Sequence, residues 1–383
     1  MSVAVASGCS DGAGDRQSDA DAAVSEDADT LIPADLTDAT DIVPSDSMDA
    51  TDSTVETTDT LVDVTDATSS TPYVPPNGDL PWQTLDPTTA GFSEEGLADL
   101  RTVVEENNSS SFMLLIGGRV VVEWYFKGTN ASTQLEVASV QKSITSTLVG
   151  LARKKGLLEL DDRVSDYLSV GWSAATEAQE GLITLRHLMT HSSGLSPTTL
   201  RRVAAPGTVF DYNTNAYQKL RLVLEAVSDL DINTLSRTWL FDAIGIGGEW
   251  FDRGTNDPTG AATWGLRLSA RDMARFGLFA QRLGVWGDTA ITSPTWFAEA
   301  WTPSGIKPDY GLLWWLQGRG SLQGKAPLDL VSALGARDQK IYVVPSLSAV
   351  VTRQGLAAGT ASEAESNFDL VLLNAIANAR IAN

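Results

Sequence analysis

From about Trp82 onward the apolar residues fall into helical and strand periods. Leu97, Leu100, Val103 and Val104 follow Ser93, a good N-cap type, and Asn107 and Asn108 close the run, which predicts a first helix. Residues 112–116 and 120–126 are β-rich runs parted by Gly117, Gly118 and Arg119, which reads as a hairpin. Over 137–156, Val140, Ile144, Leu148 and Leu151 recur at helical spacing, and Lys154, Lys155 and Gly156 supply a basic last turn and a stop. Between 157 and 265 helical pieces alternate with Gly and Pro turns, with few strand signals. Residues 271–283 predict a helix and 296–301 a short one. Residues 340–344 and 349–353 form a second hairpin, broken at Pro345. Ser362 and Glu365 make a capping box for a last helix with Phe368, Val371, Leu372, Ala375, Ile376 and Ala379 on one stripe.

Strands near both ends with helices between them imply an α+β fold. One antiparallel sheet is built from the two ends of the domain and covered by its first and last helices. The domain is expected over 82–383, with an inserted, mostly helical region at about 157–265. At 43% hydrophobic content, the 383 residues can bury a sizeable core.

Charge changes the picture at the N-terminus. The formal charge is −22, but residues 1–70 carry seventeen acidic side chains against the single Arg16, so most of the acidity sits there. This stretch is rich in Asp, Thr, Ser and Ala and repeats D-A-T-D at Asp38 and Asp49. Such a composition buries too little apolar surface to offset ordering entropy, so 1–76 is expected to be a disordered spacer, closed by Pro72, Pro75, Pro76 and Pro81. Its charge argues against nucleic-acid binding. Cys9 is the only cysteine, which excludes an internal disulfide and a Cys-rich metal site. The A-S-G-C that ends at Cys9 resembles the end of a bacterial lipoprotein signal, although the eight residues ahead of the cysteine are short for one. No apolar run is long enough to span a membrane. G-x-S-x-G around Ser10 lacks the strand and helix of a nucleophile elbow and is set aside.

The candidate chemistry lies at the start of the 137–156 helix. Lys142 follows Ser139 by three residues, one turn along the same face, which brings its amine within reach of the Ser139 hydroxyl. A serine hydroxyl needs a neighbour to take its proton, and a buried lysine near the positive end of a helix can be that base. By itself the stretch also reads as an N-cap serine followed by a solvent-facing lysine. Ser304 and Lys307 have the same spacing, but among Pro303, Gly305 and Pro308 they cannot be helical. The two histidines, His187 and His191, have H-x-x-x-H spacing without the Glu of a zinc-protease motif, so a structural role is expected and no metal.

Taken in order, the segments resemble the serine β-lactamase and penicillin-binding-protein superfamily, in its class C and esterase-like branch, which includes 6-aminohexanoate-dimer hydrolases. Ser139 and Lys142 match the first motif. L-M-T-H-S-S-G-L at Leu188 to Leu195 and P-G-T-V-F-D-Y at Pro206 to Tyr212 are similar to segments leading to the catalytic tyrosine. The resemblance implies a β-lactamase/transpeptidase-like fold with Tyr212 sharing proton traffic with Lys142. A phenol titrates near 10 when free, so a close ammonium would have to make it useful at neutral pH. The family's Tyr-x-Asn is broken here, and Asn213 and Asn215 are both candidates for the missing substrate-binding amide. In place of the third motif the chain has Ala333-Leu334-Gly335 and then Ala336. Gly335 would admit substrate closely, and the Ser139 and Ala336 N–H groups would hold an oxyanion. Among a cluster of tryptophans, Trp314 and Trp315 beside Tyr310 are candidates to line an acyl pocket.

The implied activity is hydrolysis of a small ester or amide through an acyl-enzyme on Ser139, with no cofactor. Two alternatives stay open: a D-amino-acid peptidase, carboxypeptidase or β-lactamase on cell-wall-type substrates, and a penicillin-binding sensor that acylates without turnover. The Cys9 segment implies the bacterial cell envelope, periplasmic or lipid-anchored, with the cytoplasm as the alternative. Ala333 and Leu334 offer no cation or hydroxyl to a penicillin carboxylate, so uncharged esters or linear amides are expected to be preferred over penicillins.

Overall fold

Gly117 and Gly118, at φ 58° and 87°, turn the chain within two residues. They join β1 (Ser109–Ile116) to β2 (Arg119–Tyr125) as an antiparallel hairpin. The structure is a computed structural model and describes residues 72–78, 80–359 and 365–381. The expected spacer up to residue 71, the Cys9 anchor and the Ser362 cap lie outside the described residues.

The remaining strands are β3 (Leu135–Glu136), β4 (Glu249–Asn256), β5 (Ala262–Leu268), β6 (Val285–Trp286), β7 (Thr289–Ala290), β8 (Val331–Gly335), β9 (Gln339–Val344) and β10 (Ala349–Gly355). The helices are α1 (Glu94–Glu106), α2 (Gln141–Lys154), α3 (Glu177–Glu180), α4 (Leu185–Met189), α5 (Thr214–Ser228), α6 (Ile232–Ser236), α7 (Asp242–Ile244), α8 (Ala270–Gln281), α9 (Trp296–Ala300) and α10 (Asn367–Asn378). The main sheet runs β2-β1-β10-β9-β8 with antiparallel neighbours, so the two ends of the domain do build one sheet.

Alternation along the strands splits the core in two. Phe112, Leu114, Tyr342 and Val351 pack with Leu97, Leu100 and Val104 of α1 and Phe368 and Leu372 of α10. Met113, Leu115, Ile341 and Val350 face the opposite way, into a larger core with Ile144 and Leu148 of α2 and Phe276 and Phe279 of α8. That second face carries the candidate chemistry.

Three expectations need correction. The region 157–265 ends in strand: β4 and β5 pair, and with β3 they form a small sheet ordered β3-β5-β4. The strand β4, E-W-F-D-R-G-T-N, is largely exposed and polar, so it offers no continuous apolar run to read. The last helix is capped by Ser366 with Asp369 rather than by Ser362 with Glu365, and Val371 on its expected stripe is exposed. The ordered body also reaches upstream of Trp82. Arg275 donates to the carbonyls of Pro75 and Pro76, and the Gln83 amide donates to the Tyr73 phenol oxygen at 2.8 Å. None of the described helices is long and apolar enough to cross a membrane.

Candidate active site

Strand β3 delivers the chain to Ala138, which sits at φ 47°, a left-handed conformation that an alanine adopts only under constraint. A single 3-10 turn, Ala138–Val140, leads directly into α2. Neither helix start is capped by a side chain, so Ser139 is not spent as an N-cap. Its half-buried hydroxyl instead accepts a hydrogen bond from Lys142 Nζ at 3.0 Å. The lysine is only 2% exposed, so the solvent-facing alternative is gone.

Lys142 Nζ also donates to Thr214 Oγ1 at 3.2 Å and lies 4.9 Å from the Tyr212 ring and 4.6 Å from the Tyr217 ring. Burial pulls its amine down to about 7, helped by the nearby positive charge of Arg253. Burial acts oppositely on Tyr212, pushing its phenol up to about 12 against a hydrogen bond with Ser139. At neutral pH the lysine therefore has a substantial neutral fraction while the tyrosine stays protonated. The expected depression of the phenol by an ammonium is thus not what the structure has: burial dominates, opposed only by the Ser139 hydrogen bond.

The amides beside Tyr212 do other work. Asn213 is buried and caps α5: its Oδ1 accepts from the Ala216 amide at 2.8 Å and its Nδ2 donates to Leu195 O at 2.8 Å. Asn215 Nδ2 donates to Pro197 O at 2.7 Å. Both expected substrate-binding amides are taken by backbone, and the side chain that reaches Lys142 is the Thr214 hydroxyl between them. The cap explains this: with Asn213 at N-cap, residue 214 opens the first turn on the lysine side. The sequence signal for it was the N-cap residue type, read instead as a ligand.

The histidines also hold backbone. His191 Nδ1 accepts from the Asn213 amide at 3.2 Å, and its ring lies 4.3 Å from that of Tyr212. Burial and the charge of Lys142 keep His191 well below the usual imidazole range, hence neutral. His187 Nδ1 accepts from the Thr184 amide at 3.1 Å. Among the described residues, no group of three His, Cys, Asp or Glu side chains could hold a metal ion.

Opposite the serine, β8 ends at Gly335. A Cβ there would stand 3.1 Å from the Ser139 amide nitrogen and 2.4 Å from Val137 O. Ala336 begins the 3-10 turn that follows. Trp315, half-buried, stacks on Tyr212 at 6.0 Å and meets Tyr310 edge-on at 4.9 Å. Trp314 does not join it. Fully buried, it stacks on Phe276 and packs against Phe297 and Trp301 in the core. Ser304 and Lys307, the spacing control, make no hydroxyl-to-amine contact: Ser304 Oγ accepts the Lys307 amide, and Lys307 Nζ pairs with Asp309 at 2.7 Å. On the β3 side, Arg253 donates from Nε and Nη2 to Glu136 Oε1 at 2.9 and 2.7 Å, and Arg337 Nη2 lies 4.0 Å from Glu136 Oε2.

Sheet, helices and this pairing define a β-lactamase-type fold, and residues 101–352 match the family model described as Beta-lactamase. The chain belongs to that family of hydrolases. Its fold is shared with a Bacteroides dorei protein assigned as a beta-lactamase, at TM-score 0.62 and 17% identity, covering 75% of this chain and 98% of that one. A Bacillus anthracis protein assigned as a 6-aminohexanoate-dimer hydrolase aligns at TM-score 0.60 and 19% identity, covering 80% and 89%. EstCE1, a hydrolase with promiscuous acyltransferase activity, aligns at 0.59 and 16%, covering 74% and 98%. In sequence, an uncharacterized protein of Alkalihalophilus pseudofirmus is 25% identical over 251 residues, 58% of this chain and 73% of that one.

Proposed function

We propose that the chain is a serine hydrolase that cleaves small carboxylic esters or amides through an acyl-enzyme on Ser139. The observation that carries this reading is the 3.0 Å contact between the Ser139 hydroxyl and a buried lysine whose amine is pulled down to about 7. Neutral Lys142 takes the Ser139 proton as Oγ attacks the carbonyl carbon. The Ser139 and Ala336 amides receive the oxyanion. As the tetrahedral intermediate collapses, the leaving group departs with a proton returned from the Lys142 and Tyr212 pair, the protonated phenol serving as donor. Water then attacks the acyl carbon as Lys142 takes its proton, and when the acyl–Oγ bond breaks Lys142 returns that proton to Ser139 Oγ, freeing the acid and restoring both groups. Trp315, half-buried and backed by the buried Tyr310, is the aromatic surface offered to the acyl group.

Ser139→Ala should abolish hydrolysis of a p-nitrophenyl ester while the circular dichroism spectrum and melting temperature stay near those of the wild type. Turnover at the wild-type rate in that variant would sink the assignment. Peptidase or β-lactamase action on cell-wall-type substrates is the competing enzyme reading, and a stalled acyl-serine would mark a penicillin-binding sensor. Mass spectrometry after mixing with ester or penicillin separates them, since a lasting adduct favours the sensor and rapid regeneration the enzyme. An envelope location, resting on the A-S-G-C segment, belongs to the same proposal.

A further inference from the structure

The turn after β8 holds two consecutive left-handed residues that are not glycine, Arg337 and Asp338, both at φ 61°. Each is a strained backbone conformation that persists only where its surroundings fix it. Here the fixing is done from below by a side chain far away in sequence. Arg353 of β10 is fully buried, and its guanidinium uses five contacts. Nη1 donates to Arg337 O at 2.9 Å and Asp338 O at 3.0 Å, Nη2 to Asn107 O and Leu356 O at 2.7 Å each, and Nε to Ser109 Oγ at 3.0 Å. Gln339 Nε2 adds a second bond to Arg337 O at 3.1 Å. The other side of the turn is held through the Asp338 carboxylate, which accepts from Lys340 Nζ at 3.1 Å, from the Ala358 amide at 2.9 Å and from Ser366 Oγ. Lys340 is itself fully buried and paired with Asp369 at 2.9 Å.

This effort is spent on a turn whose first residue is Ala336, one position beyond the glycine that touches the Ser139 backbone. Among the described residues, neither the Ser139 nor the Ala336 amide donates to a loop or turn carbonyl. We propose that Arg353, with the Asp338–Lys340 pair, is a positioning device that holds the strained 336–338 turn so that the Ala336 N–H faces the Ser139 reaction centre. The inference rests on the serine-hydrolase reading above. Guanidinium is the group suited to the task, because its rigid fork can bond two successive carbonyls on one side and two other segments on the other. An ammonium in its place has three donors on a flexible stem and cannot span them.

The test is Arg353→Lys, with p-nitrophenyl ester as substrate and phenylboronic acid as the tetrahedral probe. A misplaced oxyanion donor weakens the transition state more than the bound substrate, so kcat should fall by about ten- to a hundredfold with KM nearly unchanged. The boronate inhibition constant should rise by a comparable factor. A general loss of packing would instead lower the melting temperature and the active fraction, without weakening boronate binding to the molecules that remain folded. Should R353K fail to fold, Asp338→Asn keeps the side-chain shape and tolerance of the left-handed region while removing the charge paired with Lys340, and the same split is expected. Either variant, folded and with kcat and boronate affinity within about twofold of wild type, overturns the positioning role alone. Wild-type protein that neither hydrolyses the ester nor binds boronate takes down the serine-hydrolase reading and this inference with it.

Discussion

Gly335 lies so close to Ser139 that a single added carbon would come within 3.1 Å of the Ser139 amide nitrogen and 2.4 Å of the Val137 carbonyl behind it. Both neighbours are backbone and cannot swing aside. The backbone of Gly335 is ordinary extended strand at φ −130°, so the glycine is needed for approach and not for conformational freedom. Gly335→Ala should therefore push β8 off the serine and lower kcat/KM for a p-nitrophenyl ester by at least about tenfold, as loss of an oxyanion donor does. A folded variant with wild-type kinetics would break the link between this contact and catalysis.

The lysine has its own signature in pH. With its amine pulled down to about 7, Lys142 is a base only above that pH, so kcat/KM should rise with pH through about 7. Arg253 lowers Lys142 by its charge, so Arg253→Gln should move this limb to higher pH. Stability carries the opposite face of the same shift. In the unfolded chain the lysine titrates near 10.4, so between about 7 and 10.4 the unfolded state holds a proton that the folded state does not. Stability contributed by this group therefore falls as pH falls through that window. Lys142→Met should lose ester hydrolysis and yet melt no lower than wild type at pH 8, and a clear drop in melting temperature would contradict this account.

Asn213 and Thr214 are adjacent but should fail in different ways. Asn213→Ala removes a cap and should cost about 0.5 to 2 kcal/mol of stability, readable as a lower melting temperature. Thr214→Val keeps the shape but deletes the hydroxyl that Lys142 contacts at 3.2 Å. It should leave the melting temperature nearly unchanged and alter kcat. If the valine variant is kinetically silent, Thr214 is only a neighbour of the site.

Much of the fold was legible because it is carried by residues with strong local preferences. Ser93 and Asn107 bracket α1 as the cap rules require, and Gly117-Gly118 fixes the first hairpin. Ser139 and Lys142 were legible because helical spacing alone puts them on one face. What escaped depends on partners distant in sequence. The exposed strand β4 is ordered by pairing with β5 and by the buried Lys219–Asp257 ion pair at 2.5 Å, neither of which a local window contains. Trp314 and Trp315 are chemically identical neighbours on opposite sides of the chain, one in the core and one at the cleft, and only the tertiary packing of Phe276 and Tyr212 separates them. Asn213 and Asn215 could not be sorted locally, because an amide that caps a helix or ties down a loop carbonyl looks the same in sequence as one that binds substrate.

Esters and β-lactams make different demands on the residues around Ser139. A penicillin or cephalosporin presents a carboxylate beside its reactive ring, which needs a cation or hydroxyl on the strand lining the site. The side chains of β8 are all buried, Ala333 and Leu334 are apolar, and its one hydroxyl, on Ser332, is spent on Gln317 Oε1 at 2.6 Å. Of the two guanidiniums near Glu136, Arg253 is held by short hydrogen bonds and Arg337 is half-exposed. Arg253 directs Nε and Nη2 to Glu136, and Arg337 points toward the same carboxylate at 4.0 Å. A charge-assisted hydrogen bond is worth about 1.5 to 3 kcal/mol, so its absence costs roughly ten- to a hundredfold in transition-state binding. Uncharged short-chain esters should accordingly exceed nitrocefin by at least about tenfold in kcat/KM. Glu136→Gln sharpens the test. It removes the negative charge that Arg253 and Arg337 face, leaving two unneutralised cations there, one of which already acts on Lys142 by its charge, and should raise kcat/KM for nitrocefin relative to the ester. A wild-type preference for nitrocefin, or a ratio that E136Q leaves unmoved, would show that the carboxylate is met by some other group.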